Sequence, residues 1–136
     1  MRIMRGLTFL TAALLLACLF LPWVIQPNGA VVSGFRSDTD RYGMPGLFHL
    51  ILVLPFLVLF FLNRSWSLKT AFFIGAFNVA WAVRNFISIS SCAFGDCPQK
   101  QPAIYGILIS SILLVIFLLF VDTPRPRVAA PEEKNS

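Results

Sequence analysis

From Gly6 to Ile25 the chain reads "GLTFLTAALLLACLFLPWVI", twenty residues without a charge. A helix advances about 1.5 Å per residue and a bilayer's hydrocarbon core is about 30 Å thick, so about 20 mostly apolar residues suffice for one crossing. Three further segments meet that requirement: residues 45–62 "PGLFHLILVLPFLVLFFL", residues 69–90 "KTAFFIGAFNVAWAVRNFISIS" and residues 103–121. Charged residues make up 12% of the 136, about half the roughly 25% usual for soluble domains, too few to coat a water-soluble globule. The expected fold is an all-α membrane protein, a four-transmembrane-helix bundle. Pro55, inside the second run, should kink that helix without breaking it.

With four spans both termini share one side of the membrane. The termini and the connection between spans two and three carry Arg2, Arg5, Arg64, Lys69, Arg125, Arg127 and Lys134, whereas the two opposite loops carry Arg36, Arg41 and Lys100. Lys and Arg concentrate on the cytoplasmic side, so the termini are expected there, in a cell membrane of the bacterial inner-membrane type. The formal net charge of +5 is mainly this topological signal. Its scatter along the chain argues against a nucleic-acid footprint. Residues 122–136, "DTPRPRVAAPEEKNS", are Pro-rich and charged and read as a disordered cytoplasmic tail.

The N-terminus admits a second reading. "MRIMRGLTFLTAALLLAC" has the basic start and apolar middle of a secretory signal, and "LLAC" is similar to a lipoprotein cleavage site at Cys18. The apolar run continues through "LFLPWVI", however, so an uncleaved first span is expected, with Cys18 a small buried residue. Trp23, Trp66 and Tyr105 lie near predicted span ends, where amphipathic rings favour the membrane interface.

Two loops face away from the termini. The first, "QPNGAVVSGFRSDTDRYGM", together with the preceding "WVI", has β-branched runs around Pro27-Asn28-Gly29, the pattern of a short β-hairpin. Its Arg36 and Arg41 balance Asp38 and Asp40. A lone hairpin is marginal in water, so it needs a surface, and the second loop, "SCAFGDCPQKQP", is the candidate. Cys92 and Cys97 in that loop should form a disulfide on the oxidising side, contributing roughly 2 kcal/mol. The two loops would then make a small outer cap.

Polar groups within spans are where membrane proteins commonly do their work. Asn78, Trp81, Asn85 and Ser88 recur at steps of three, four and three, with Arg84 beside them, and His49 enters span two at the same outer level. These six residues form a candidate polar cluster. It either ties helices and cap together or holds a lipid headgroup or small anionic ligand at Arg84. A proton path is disfavoured because no Asp or Glu lies within any span, as small proton-coupled multidrug pumps require. Zinc is disfavoured because His49 is the only histidine. Phosphate loops, nucleophile elbows and repeats are absent from the sequence, so no catalytic residue, cofactor or metal is assigned and an enzyme is not expected.

The layout, four spans with a tryptophan and "SGF" before and in the first outer loop and cysteines outside, resembles small uncharacterised bacterial four-span inner-membrane proteins. It is superficially similar to animal tetraspan junction proteins of the claudin type. Claudins place W-x-G-L-W-C-C-like residues and both cysteines in the first outer loop, whereas Cys92 and Cys97 stand in the second, so no functional residue carries over. Quinone-linked disulfide oxidases also have four spans but use two communicating cysteine pairs, one usually C-x-x-C; this chain offers one pair, more widely spaced. The expected role is that of a non-catalytic accessory or interaction subunit. Its partners would be the lipid bilayer and a membrane protein or second copy. Ligand binding around Arg84 is the first alternative and thiol redox work through Cys92 and Cys97 the second.

Overall fold

The computed structural model describes residues 2–38, 42–92 and 95–121. The chain order is α1 (Arg2–Cys18), β1 (Pro22–Ile25), β2 (Val31–Ser33), α2 (Pro45–Leu62), α3 (Ser65–Ser90), β3 (Gln99–Lys100) and α4 (Pro102–Leu119). The fold is mostly helical with one small antiparallel sheet. The helices pack side by side, α2 on α3, α3 on α4 and α4 on α1. Residues 122–136, Asp40 and Arg41 lie outside the described residues, and with them the tail and half of the expected loop charge balance. The other half is present: Arg36 Nε lies 3.4 Å from Asp38 Oδ1.

Helices α2, α3 and α4 are long and apolar enough to cross a membrane. Large apolar side chains such as Phe61, Phe73, Phe77 and Leu119 stand outward on them, the inverse of a water-soluble protein. Helix α2 runs through Pro55 without interruption. Helix α3 begins at Ser65, four residues before the predicted start at Lys69. There the Ser67 hydroxyl accepts the Arg64 N–H at 2.9 Å and donates to the Arg64 carbonyl at 2.8 Å, satisfying backbone groups at the helix start.

The first predicted span requires correction. Helix α1 ends at Cys18, and the remaining apolar residues of "LFLPWVI" turn and become β1. Pro22 disfavours helical geometry in the residue before it, and the β-branched Val24 and Ile25 suit a strand. At 17 residues, α1 advances only about 26 Å. Its buried face is Thr8, Thr11, Ala12, Leu15 and Cys18, the spacing of a single helical stripe. That stripe packs on α4 so closely that a Cβ on Gly106 would stand 2.9 Å from Cys18 Sγ.

Trp23, just beyond the end of α1, is fully buried, and its indole N–H donates to the Cys18 carbonyl at 3.0 Å, taking up one of the acceptors that a helix end leaves free. A register shift beside it in the β1–β2 pairing places both Trp23 and Val24 in the core. The hairpin turn forms where Gly29, at φ +84°, supplies the conformation that other residues resist, and the Ala30 N–H donates to the Asn28 side chain.

The sheet has the order β2-β1-β3, so the cysteine-bearing loop does more than support the hairpin: it adds a strand to it. The Gln101 N–H extends this contact by donating to the Trp23 carbonyl at 2.8 Å. The hairpin loop is also seated on helix ends by backbone alone. Gly34 donates to the Leu19 carbonyl and its own carbonyl accepts the Gly46 N–H at 2.6 Å. A Cβ on Gly34 would lie 2.4 Å from Leu19 O, and one on Gly46 would lie 2.6 Å from Gly34 Cα, so both positions exclude side chains. At the opposite end of the helices, the Arg5 guanidinium donates to the Asn63 side-chain carbonyl in the α2–α3 connection.

Candidate functional site

Six residues were expected to form one polar cluster; they form two, separated by angle around α3 and, for Asn85, by the about two turns of helix between it and Asn78. At about 100° per residue, Asn85 lies about 20° from Asn78 around the axis of α3, Trp81 about 60°, Ser88 about 80° and Arg84 about 120°, all to the same side. Asn78 and Asn85 therefore point between helices and are buried, whereas Arg84 and Ser88 are exposed and Trp81 is half-buried between them.

The inner group is buried between helices, and His49 Nε2 within it has no hydrogen-bond partner among the described residues. His49 Nδ1 lies 2.6 Å from Asn78 Oδ1, an oxygen that can only accept, so the imidazole donates through Nδ1. The Asn78 amide in turn donates to Ser111 Oγ on α4 at 3.1 Å. This short chain ties α2 to α3 and α3 to α4. Trp23 covers it from the sheet, edge-on to the imidazole with ring centroids 6.1 Å apart. His49, Asn78 and Ser111 are all sealed from solvent. The sequence reading missed Ser111, whose signal was a serine pair, Ser110-Ser111, interrupting the fourth apolar run. Ser110 instead donates to the Gly106 carbonyl of its own helix.

The outer group is open. Trp81 is fixed by its indole N–H, which donates to the Pro45 carbonyl at the start of α2 at 3.0 Å, and by the Phe48 ring at a centroid distance of 4.4 Å. On this platform rests Arg84, its guanidinium carbon 4.7 Å from the Trp81 ring centroid. Among the described residues no carboxylate pairs with Arg84. Beside it lies a cleft of about 620 Å³ between α2, α3 and the end of the hairpin loop, lined by Pro45, Phe48, Trp81, Arg84, Asn85, Ser88 and Ser91 together with loop residues 42–44 and Ile89. None of these lining residues is acidic. Asn85 is 3% exposed, and its Nδ2 has no hydrogen-bond partner among the described residues, although a buried amide ordinarily has one. Among the described residues, a cation without a counter-ion and a buried donor without an acceptor thus share one cavity, which suits an anion with several acceptor oxygens.

Cys92 and Cys97 lie at disulfide distance, S–S 2.01 Å, in the loop that also supplies β3. Cys18 is buried at the α1–α4 contact, far along the chain from that pair and without a described cysteine partner. No group of three His, Cys, Asp or Glu that could hold a metal occurs among the described residues. Compared with known protein families, with curated proteins and with solved structures, the chain matches none.

Proposed function

We propose that this chain is a non-catalytic integral membrane protein of the bacterial inner-membrane type, crossing the bilayer four times with both termini cytoplasmic, and that its work is to bind an anionic ligand in the cleft beside Arg84. The observation that carries the binding reading is that Arg84, presented on Trp81, and the buried Asn85 amide share one cavity and have, among the described residues, no counter-ion and no acceptor respectively. A fourth crossing by α1 draws support from the exposed Phe20 and Leu21 just beyond its end, which extend its apolar length. The distribution of Lys and Arg supports the orientation. The rival reading, an accessory subunit acting only through its surface, rests on the outward apolar side chains, and surrounding lipid accounts for those equally well.

The test is chemical. Full-length protein purified in a mild detergent should release, on denaturation, a stoichiometric organic anion detectable by negative-ion mass spectrometry, and the Arg84→Gln protein should release roughly tenfold less. Equal recovery from both proteins, or no anion from the unmodified one, would overturn the binding reading.

A further inference from the structure

A second cavity adjoins the charged cleft. It is a groove of about 360 Å³ between α2 and α3, lined by Phe48, Leu52, Phe77, Ala80, Trp81 and Arg84. Phe48, Trp81 and Arg84 border both cavities, so the two meet at the Arg84–Trp81 platform. Away from that platform the lining is apolar. Phe77 lies seven residues before Arg84 on α3, about 10 Å along the axis, and Leu52 lies one turn beyond Phe48 on α2. The groove therefore runs parallel to the helices and away from the sheet end, into the part of the protein expected to lie in hydrocarbon.

Resting on the anion-binding reading above, we infer that the ligand is an anionic phospholipid. Its phosphodiester sits at Arg84 and Asn85 and one acyl chain lies along the Phe48–Leu52–Phe77–Ala80 groove. The junction of the cavities reproduces the join between headgroup and chain, a polar, cationic end continuous with an apolar channel. Charge selects the headgroup. Among the described lining residues no acidic side chain is available to a choline or ethanolamine cation, and Arg84 already occupies the Trp81 ring on which a quaternary ammonium would otherwise stack. One guanidinium matches the single charge of a phosphodiester, while the Asn85 amide and the Ser88 hydroxyl supply neutral donors for its oxygens or for headgroup hydroxyls.

The experiment titrates the full-length protein in non-ionic micelles with dioleoyl phosphatidylglycerol, dioleoyl phosphatidylcholine and glycerol phosphate, read by native mass spectrometry. Phosphatidylglycerol should bind roughly tenfold more tightly than phosphatidylcholine, and Arg84→Gln should erase that preference while Arg84→Lys keeps part of it. Glycerol phosphate, a phosphomonoester with at least the charge of the phosphodiester but no chains, should bind roughly a hundredfold more weakly. Ala80 is exposed, so Ala80→Trp fills the groove from outside the core and should weaken phosphatidylglycerol roughly tenfold without altering glycerol phosphate. Phe77→Ala, which removes a groove wall, serves the same purpose if the tryptophan variant does not fold. Glycerol phosphate binding as tightly as the lipid, with no effect of either groove variant, would overturn the lipid assignment and leave the anion reading standing. Equal binding of the two lipids together with no binding of glycerol phosphate would overturn both.

Discussion

Asn78 and Arg84 stand six residues apart on one helix, both polar within an apolar run, and they have opposite fates. Asn78 bonds His49 on one side and Ser111 on the other and is closed off. Arg84 faces out over Trp81, beside a cavity and without an anionic partner among the described residues. Polarity inside a membrane segment therefore does not identify a working site by itself. What differs is pairing: Asn78 has side-chain partners on both sides, whereas Arg84 rests on a ring and has no carboxylate among the described residues.

Four substitutions test that contrast, and detergent-phase unfolding monitored by circular dichroism reads each one. The largest effect should come from Gly34→Ala, where the new Cβ meets the Leu19 carbonyl at 2.4 Å. The hairpin loop must shift, Trp23 above the inner network and the wall of the outer cleft shift with it, and stability should fall by about 3 kcal/mol. A fully stable Gly34→Ala protein would show that the two regions do not depend on a common frame. Asn78→Ala should cost about 2 kcal/mol, because it leaves the His49 donor unpaired in the interior and breaks both bonds that join three helices. Anion recovery from this variant should nevertheless match the unmodified protein, and a parallel loss would merge the two groups into one. Ser111→Ala removes a single acceptor and should cost about 1 kcal/mol. Arg84→Gln should change stability by less than about 0.5 kcal/mol while lowering anion retention roughly tenfold. A large destabilisation by Arg84→Gln would make the outer group structural after all.

The long apolar helices were legible because bilayer solvent leaves an unmistakable mark: the residues of α2, from Pro45 onward, are continuous apolar surface with a proline suited to a helix start. The end of α1 was obscured by the same property. A short apolar strand and an apolar helical turn look alike by composition, so "LFLPWVI" read as more helix, and Pro22 was the punctuation that deserved more weight. The strand Gln99–Lys100 left no periodic trace, since two residues cannot show one, and its pairing is decided by the edge of β1. The polar stripe on α3 was visible, but spacing alone did not separate Arg84 from Asn78; converting each step to an angle does. Ser111 was hidden because a serine in an apolar helix usually bonds its own backbone, as Ser110 does, and its link to Asn78 depends on a neighbour far away in sequence.

The central position of β1 imposes an order on biogenesis. One edge of this strand is satisfied early by β2, only a few residues downstream, but the other waits for β3, which the ribosome delivers just before α4. A nascent chain halted after its third helix would therefore present a bare strand edge to whatever insertion machinery or chaperone attends it. The sheet can close only once the chain has reached the threshold of its last helix.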